Sequence, residues 1–428
     1  MLLNNNHTRA AAAALALALT AALAGCADTG GGFGALGSGK PGGPYELAYE
    51  AVWTKDADKG LAFGMSPTRV FHTERGTVLL FSESPIEAGS GHNRIDYEEG
   101  VECDGSMQVT LYEAEPGCRI EGMGVSDTLI AWFERTEGAG GVSHVALKAM
   151  LWDRGSVFEE QEVVTVYEAD LDSAAGEEAL TDLGVYGDTV YFVEYDYSMH
   201  YDHLTEYRAG SGYQNRIMSW NFNPGEDGAP LHPMAFLNAK GPQILVGGVD
   251  DATPAFFLYH ATERDKIQSP AEKLTPEAVY VADYDEVTDE FCAYYRDDGG
   301  VDRVAVFPTD GDPVWDFFTP GENERLDTGC FIYENGVAAF VVESEGAGRR
   351  AYAIDTAQAF DNYCENTLSG QDGGNLPVDP PVGAAQDCYW LDLEGESLRG
   401  LLLPAEDEAE GDAPPPVIVT YVAFTNWL

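Results

Sequence analysis

The sequence predicts an all-β chain, most economically a β-propeller of about seven blades. Three observations carry that prediction. Past residue 44 no long stretch has helical periodicity, and short runs rich in Val, Tyr, Phe and Leu recur between turn residues. Strongly apolar strands open at residues 77, 128, 189, 255, 290, 337 and 398, a mean spacing of about 53 residues, as repeated blades require. The body's two ends, 45–53 and 417–424, also read as strands that would close a ring by pairing in one blade. Six or eight blades fit the spacing nearly as well. The rival architecture is a pair of β-sandwiches.

Each unit reads as a short strand, a turn bearing Asp, Asn or Gly, an apolar strand and a further strand. The first runs through 69–71, a turn at 74–76, then 77–81 and 94–97. The second turns at Ser126-Asp127 into 128–133, with 144–152 after it; the third turns at Gly187-Asp188 into 189–193, with 216–220 after it. The fourth is less regular: 244–246, a turn at Asp250-Asp251, then 255–259. In the fifth, 278–282 leads through an acidic turn to 290–295 and 303–307. The sixth joins 330–333 through Glu334-Asn335-Gly336 to 337–342 and 350–355, and the last holds 388–393, 398–403 and 417–424. A sheet this small cannot bury both faces alone, but stacked neighbours around an axis can. The units, clearest over 330–355, resemble the blades of TolB-like and WD40-like propellers, although no Trp-Asp signature repeats. Two insertions rich in Gly, Pro or acid, 369–386 and 404–416, read as solvated loops.

The first 44 residues stand apart from this body, which spans 45–428. Residues 1–9 are polar with one formal charge, Arg9, and 10–23 are almost wholly Ala and Leu. That run is too short for a membrane-spanning helix of roughly 20 residues and suits the core of a secretory signal peptide, 1–25. It ends Leu23-Ala24-Gly25-Cys26, which closely resembles the bacterial lipobox. The resemblance implies that Cys26 is acylated and becomes the mature N-terminus. Two acyl chains would anchor it stably, placing the protein in the extracytoplasmic cell envelope. From Cys26 to residue 44 the chain is rich in Gly and Ser, a flexible tether. A GxxxxGK spacing at 34–40 lacks its following Ser/Thr and its strand–helix context, and is set aside.

Seven cysteines leave six once Cys26 is given to lipid: Cys103, Cys118, Cys292, Cys330, Cys364 and Cys388. An even number in an exported chain suggests disulfides. Sequence proximity favours Cys103–Cys118, Cys364–Cys388 and Cys292–Cys330 among the fifteen connectivities that six cysteines allow. Composition bounds the partners. With 73 Asp and Glu against 23 Lys and Arg, the formal charge is −50. Such a surface repels phosphates, which excludes nucleic acid.

No HExxH, GxSxG, CxxC or EF-hand pattern occurs, and no motif calls for a cofactor or a metal. The segment 194–213 differs from its surroundings. It sets Tyr195, Tyr197, Tyr201, Tyr207 and Tyr213 among Asp196, His200, Asp202, His203 and Glu206, and reads as a long loop between strands. Tyr195, Tyr197, His200, Tyr201 and His203 form the candidate ligand-binding group, because tyrosine offers a rigid aromatic face with a polar tip. A metal held by His200, His203 and carboxylates is the sharper reading of the same loop. Acidic turns at 297–300 and 310–312 need no ion. The sequence thus points to a membrane-anchored module that binds a protein or glycan ligand without catalysis. The alternatives are a glycan hydrolase with paired carboxylates at the ring's centre and an envelope assembly scaffold. Oligomeric state has no sequence signal.

Overall fold

A computed structural model describes residues 49–54, 66–73, 76–82, 93–98, most of 108–356, and 386–394, 397–404 and 417–422. The lipobox, the tether and the expected insertions at 369–385 and 405–416 lie outside the described residues, as do Cys103, His200, the 310–312 turn and Cys364.

The described strands form antiparallel meanders. Strand β1 (Tyr49–Thr54) precedes sheet I: β2 (Ser66–Thr73), β3 (Gly76–Ser82), β4 (Asn93–Glu98) and β5 (Gln108–Glu113). Sheet II holds β6 (Cys118–Val125), β7 (Leu129–Glu137), β8 (Val142–Leu151) and β9 (Val163–Asp172). Sheet III holds β10 (Leu183–Tyr186), β11 (Thr189–Asp196), β12 (Tyr201–Arg208) and β13 (Tyr213–Asn221). Sheet IV holds β14 (Met234–Lys240), β15 (Gln243–Asp250), β16 (Thr253–His260) and β17 (Ile267–Gln268). Sheet V holds β18 (Ala278–Asp285), β19 (Glu290–Arg296), β20 (Asp302–Pro308) and β21 (Trp315–Phe318). Sheet VI has β22 (Glu324–Glu334), β23 (Val337–Ser344) and β24 (Gly348–Asp355). Sheet VII is built from β25 (Gln386–Glu394), β26 (Ser397–Pro404) and β27 (Val417–Val422), and β1 completes it. Tyr49 pairs with Tyr421 and Thr54 with Val417, so the two ends of the body meet in one sheet, as their strand-like sequences suggested.

This is a β-propeller. The first strand of each sheet packs against the first strand of the next, from β6 through β10, β14, β18 and β22 to β25, and β25 also meets β2. Small residues permit that approach. A Cβ at Gly184 in β10 would lie 2.3 Å from the Cβ of Ala239 in β14, and one at Gly124 in β6 would lie 2.6 Å from Leu183. Only glycine fits such contacts between inner strands.

The core lies between sheets as successive slabs. Val78 and Ile95 of sheet I meet Ile130, Trp132 and Met150 of sheet II. Leu129, Phe133 and Leu147 of sheet II meet Val190 and Phe192 of sheet III. Tyr191 and Leu204 of sheet III meet Ile244 and Tyr259 of sheet IV. A larger slab of aromatics, including Phe256, Phe291, Phe307 and Phe340, joins sheets IV, V and VI. Each fully buried aliphatic or Phe side chain contributes about 1.5–3 kcal/mol.

A meander has two kinds of end. One rim, here the lower, carries the turns from first to second strand; the other carries the second-to-third turns and the links between sheets. The lower rim is stapled across sheets. Ser126 Oγ and Thr128 Oγ1 donate to the Gly187 carbonyl at 2.6 and 3.0 Å. Gln243 Nε2 donates to Glu286 at 3.0 Å, and the Gly336 N–H donates to Asp285 at 2.9 Å.

Three expectations change. The fourth unit's second strand is β15, and residues 255–259 belong to its third, β16. Met234–Lys240 supplies the first strand, whose short apolar run was hidden by its polar end. No disulfide joins Cys292 to Cys330: both are buried thiols in different sheets, and Cys118 is also a thiol, 3.0 Å from Thr136 Oγ1. Residues 194–213 are not one loop. They contain the end of β11 and all of β12, joined by a tight turn.

Candidate binding surface on the β11–β12 hairpin

The hairpin that ends sheet III at the upper rim carries most of the aromatic group singled out in the sequence. Its register sets Glu194 opposite His203, Tyr195 opposite Asp202 and Asp196 opposite Tyr201. Because cross-strand partners share a face, the group divides. Glu194, Asp196, Tyr201 and His203 lie towards sheet II, and Tyr195 and Asp202 towards sheet IV. Tyr195 therefore joins the core: its hydroxyl accepts the Leu180 N–H at 3.0 Å, and burial, then the nearby Asp202 carboxylate, push its pKa well up. Tyr197, in the turn, stacks on Tyr195 with centroids 5.8 Å apart and packs against the slab between sheets II and III. The sequence-predicted aromatics thus do not converge on one point.

Tyr201 and His203 do come together. Their rings stack at 6.2 Å and 9°. His203 is only 8% exposed, and its Nδ1 shares a 2.7 Å hydrogen bond with Ser219 Oγ on β13. Burial, then the Arg216 guanidinium, lowers its pKa, while Glu194 and Asp196 oppose the shift. Beside it the buried Glu194 accepts from Gln214 Nε2 at 2.7 Å and from Arg216 Nε at 2.9 Å. Tyr167 of β9 faces the same carboxylate, and burial, then Glu194, raises its pKa to about 12.

The turn itself is held locally. Ser198 Oγ donates to Asp196 Oδ1 at 2.6 Å and the Met199 N–H donates to the same oxygen at 3.1 Å. These bonds, the Ser198 hydroxyl first, lower the Asp196 pKa. This fixed turn presents Met199, 64% exposed, next to the exposed Tyr201. The sequence flagged the tyrosines and His203 but missed Met199, Ser219, Gln214 and Arg216. Arg216, a cation in so acidic a chain, was the one readable signal; the others take their places only through the β12–β13 register. Among the described residues no three His, Cys, Asp or Glu side chains come together to hold a metal.

Two carboxylates from different sheets do meet on the inner strands. Asp283 of β18 and Glu334 of β22 converge on Lys240 of β14, at 3.9 and 3.1 Å from Nζ. Lys240 Nζ also donates to the Tyr333 carbonyl at 2.7 Å. Asp283 accepts the Tyr284 and Tyr333 N–H groups, each at 2.8 Å. The cluster ties three inner strands together, with both Asp283 oxygens and one Glu334 oxygen engaged in doing so. The turn at Asp297 is likewise filled from within, by the Gly299 and Val301 N–H groups at 2.9 Å.

No family model and no curated protein matches the sequence. The chain is similar to solved propellers. Against the β-propeller domain of the Trilobed protease from Pyrococcus furiosus the TM-score is 0.48 at 11% identity, covering 83% of this chain and 93% of that one. A puromycin-hydrolyzing peptidase from Mycobacterium tuberculosis gives 0.46 at 10%, covering 84% and 51%. TolB from Acinetobacter baumannii gives 0.35 at 10%, covering 63% and 61%. The chain therefore spans about half the length of that peptidase and three fifths of that TolB. Similarity at this level carries no function across. Among the described residues no helix is long and apolar enough to cross a membrane.

Proposed function

We propose that this chain is an extracytoplasmic lipoprotein, anchored through Cys26, whose seven-bladed propeller binds a protein partner at its upper rim without catalysis. One observation carries the binding reading: the exposed Met199 and Tyr201 on a turn fixed by Asp196, with Tyr201 backed by the buried His203. Methionine adapts to varied surfaces, and an aromatic held from behind loses little entropy on binding. Seven blades are supported by the strand grouping, in which β1 completes the seventh sheet.

Crosslinking in the native envelope, followed by identification of captured chains, tests the reading. Tyr201→Ala combined with Met199→Ser should abolish the dominant crosslink and leave the thermal unfolding curve unchanged. An unaltered crosslink pattern overturns the assigned surface, and specific retention on a glycan array in place of a protein overturns the assigned partner. Anchoring has a separate readout: Cys26→Ala should end acyl labelling and move the protein out of the membrane fraction. A Cys26→Ala protein that stays acylated refutes it.

A further inference from the structure

A buried histidine stands at the seam between sheets IV and V with no role in the binding surface. His260 ends β16 at the lower rim, opposite Gln243 of β15. It is 8% exposed, and its Nε2 is shut from solvent with no hydrogen-bond partner among the described residues. The ring stands edge-on to Tyr284 of β18, with centroids 6.5 Å apart at 83°. Tyr284 is fixed in turn, its hydroxyl donating to Asp289 at 2.9 Å. Gln243, the cross-strand neighbour, makes the rim staple to Glu286. The imidazole therefore sits directly behind one of the bonds that hold the two sheets together.

Among the described residues the charged groups around it are few. Its own turn supplies Glu263 and Lys266, closed by the Glu263 N–H on the His260 carbonyl at 3.1 Å and the Lys266 N–H on the Glu263 carbonyl at 2.8 Å. Sheet V supplies Glu286, with Tyr284 and Asp289 behind it. A neutral imidazole can leave Nε2 as a bare lone pair, which is tolerable beside an aromatic edge. An imidazolium carries N–H on both nitrogens, and a buried cationic donor without an acceptor is strongly unfavourable. Once the seam parts, water, Glu286 and Glu263 are available to it.

We propose that His260 is a proton-operated latch on the lower rim: neutral, it packs against Tyr284 and the IV–V seam is closed; protonated, it leaves its site and the seam opens. Opening takes up one proton from solvent, held on the imidazole. Burial, then Lys266, lowers the pKa of His260 in the closed state, with Glu263 and Glu286 opposing. A lowered value means that the closed seam is fully favoured above the ordinary histidine value of about 6.5 and loses that advantage as pH falls through the depressed one.

Hydrogen exchange on the full chain from pH 7.5 down to 4.5, corrected for intrinsic rates, reads the latch directly. Peptides covering 243–260 and 284–290 should lose protection below about pH 6.5, by at most about tenfold per pH unit for one proton. Peptides from β7 and β8 should not. His260→Phe keeps a ring against Tyr284 and cannot protonate, so its seam protection should be flat with pH. Wild-type protection that does not vary with pH overturns the latch. So does an identical pH response in His260→Phe, which would place the proton on the seam carboxylates. Should His260→Phe fail to fold, an NMR titration of wild-type His260 decides: a value below the ordinary one supports the latch, and one at or above it refutes it.

Discussion

Replacing Asp283 with alanine tests whether the inner strands are held by this one carboxylate. Asp283 is 4% exposed and accepts two main-chain N–H groups, that of its neighbour Tyr284 and that of Tyr333 on the next sheet. The substitution leaves both donors without an acceptor, at about 1–3 kcal/mol for each buried group. It also leaves Lys240 with Glu334 as its remaining carboxylate. An opposing term exists: burial, only partly offset by Lys240, pushes the Asp283 carboxyl up, so removing it returns some desolvation energy. The balance is a net loss of about 2–4 kcal/mol, a large share of the 5–15 kcal/mol that stabilises an ordinary domain. Asp283→Asn retains one oxygen but turns an amide nitrogen towards the other N–H, and should fall between wild type and alanine. Urea unfolding at constant slope gives the magnitude, and exchange of the Tyr333 amide locates it. A cost for Asp283→Ala within about 0.5 kcal/mol of zero, in the range of ordinary surface substitutions, or an unchanged Tyr333 amide, refutes the bracing role.

Gly184→Ala should destabilise by about 1–3 kcal/mol or more, since the new methyl group would lie 2.3 Å from the Ala239 Cβ, which has no flexible end to move. Adding Ala239→Gly should recover most of the loss in thermal melts, and a double variant no better than the single one refutes the close approach. Tyr112 closes a triad with the buried Glu134 and with Lys148: its hydroxyl donates to Glu134 at 2.6 Å and accepts from Lys148 at 2.8 Å. Burial, then the Glu134 hydrogen bond, raises its pKa to about 12, so wild type and Tyr112→Phe should release equal tyrosine absorbance up to pH 11 while folded. An early step present only in wild type contradicts that placement.

The repeat was legible because the second strands of sheets II, III and VI are buried on both faces and therefore continuously apolar. Leu129 to Phe133, Val190 to Val193 and Val337 to Val342 are such runs, and each follows a turn rich in Gly, Asn or Asp. Outer strands carry less signal, since one edge meets solvent and charge interrupts them. Sheet IV misled for a related reason. Gly247 and Gly248 thin the middle of β15, where a Cβ at Gly247 would meet Phe236 and Phe256, so the more aromatic β16 took its place in the reading. β12 was hidden by its own chemistry: Asp202, His203, Thr205 and Glu206 are buried, a composition that sequence rules assign to loops. Cysteine parity misled about position 292, because proximity in sequence says nothing about which sheet faces which.

The net charge also gains a structure. Among the described residues several cations sit on acids that the fold buries or half-buries: Arg94 on Asp96, Lys148 on Glu134, Arg216 on Glu194, Lys240 on Asp283 and Glu334, and Arg349 on Asp327 and Glu343. An unpaired buried carboxylate would cost several kcal/mol, whereas an exposed one is solvated at little expense. Among the described residues seven acids are buried and the others face solvent wholly or in part, so the acidity read from composition lies mainly on the surface. There it raises the local concentration of cations and steers basic partners inward. A partner docking on Met199 and Tyr201 meets this field before it meets the hairpin. Its association rate should therefore fall with added salt if it is basic, and rise if it is acidic, while the apolar contact sets how long it stays.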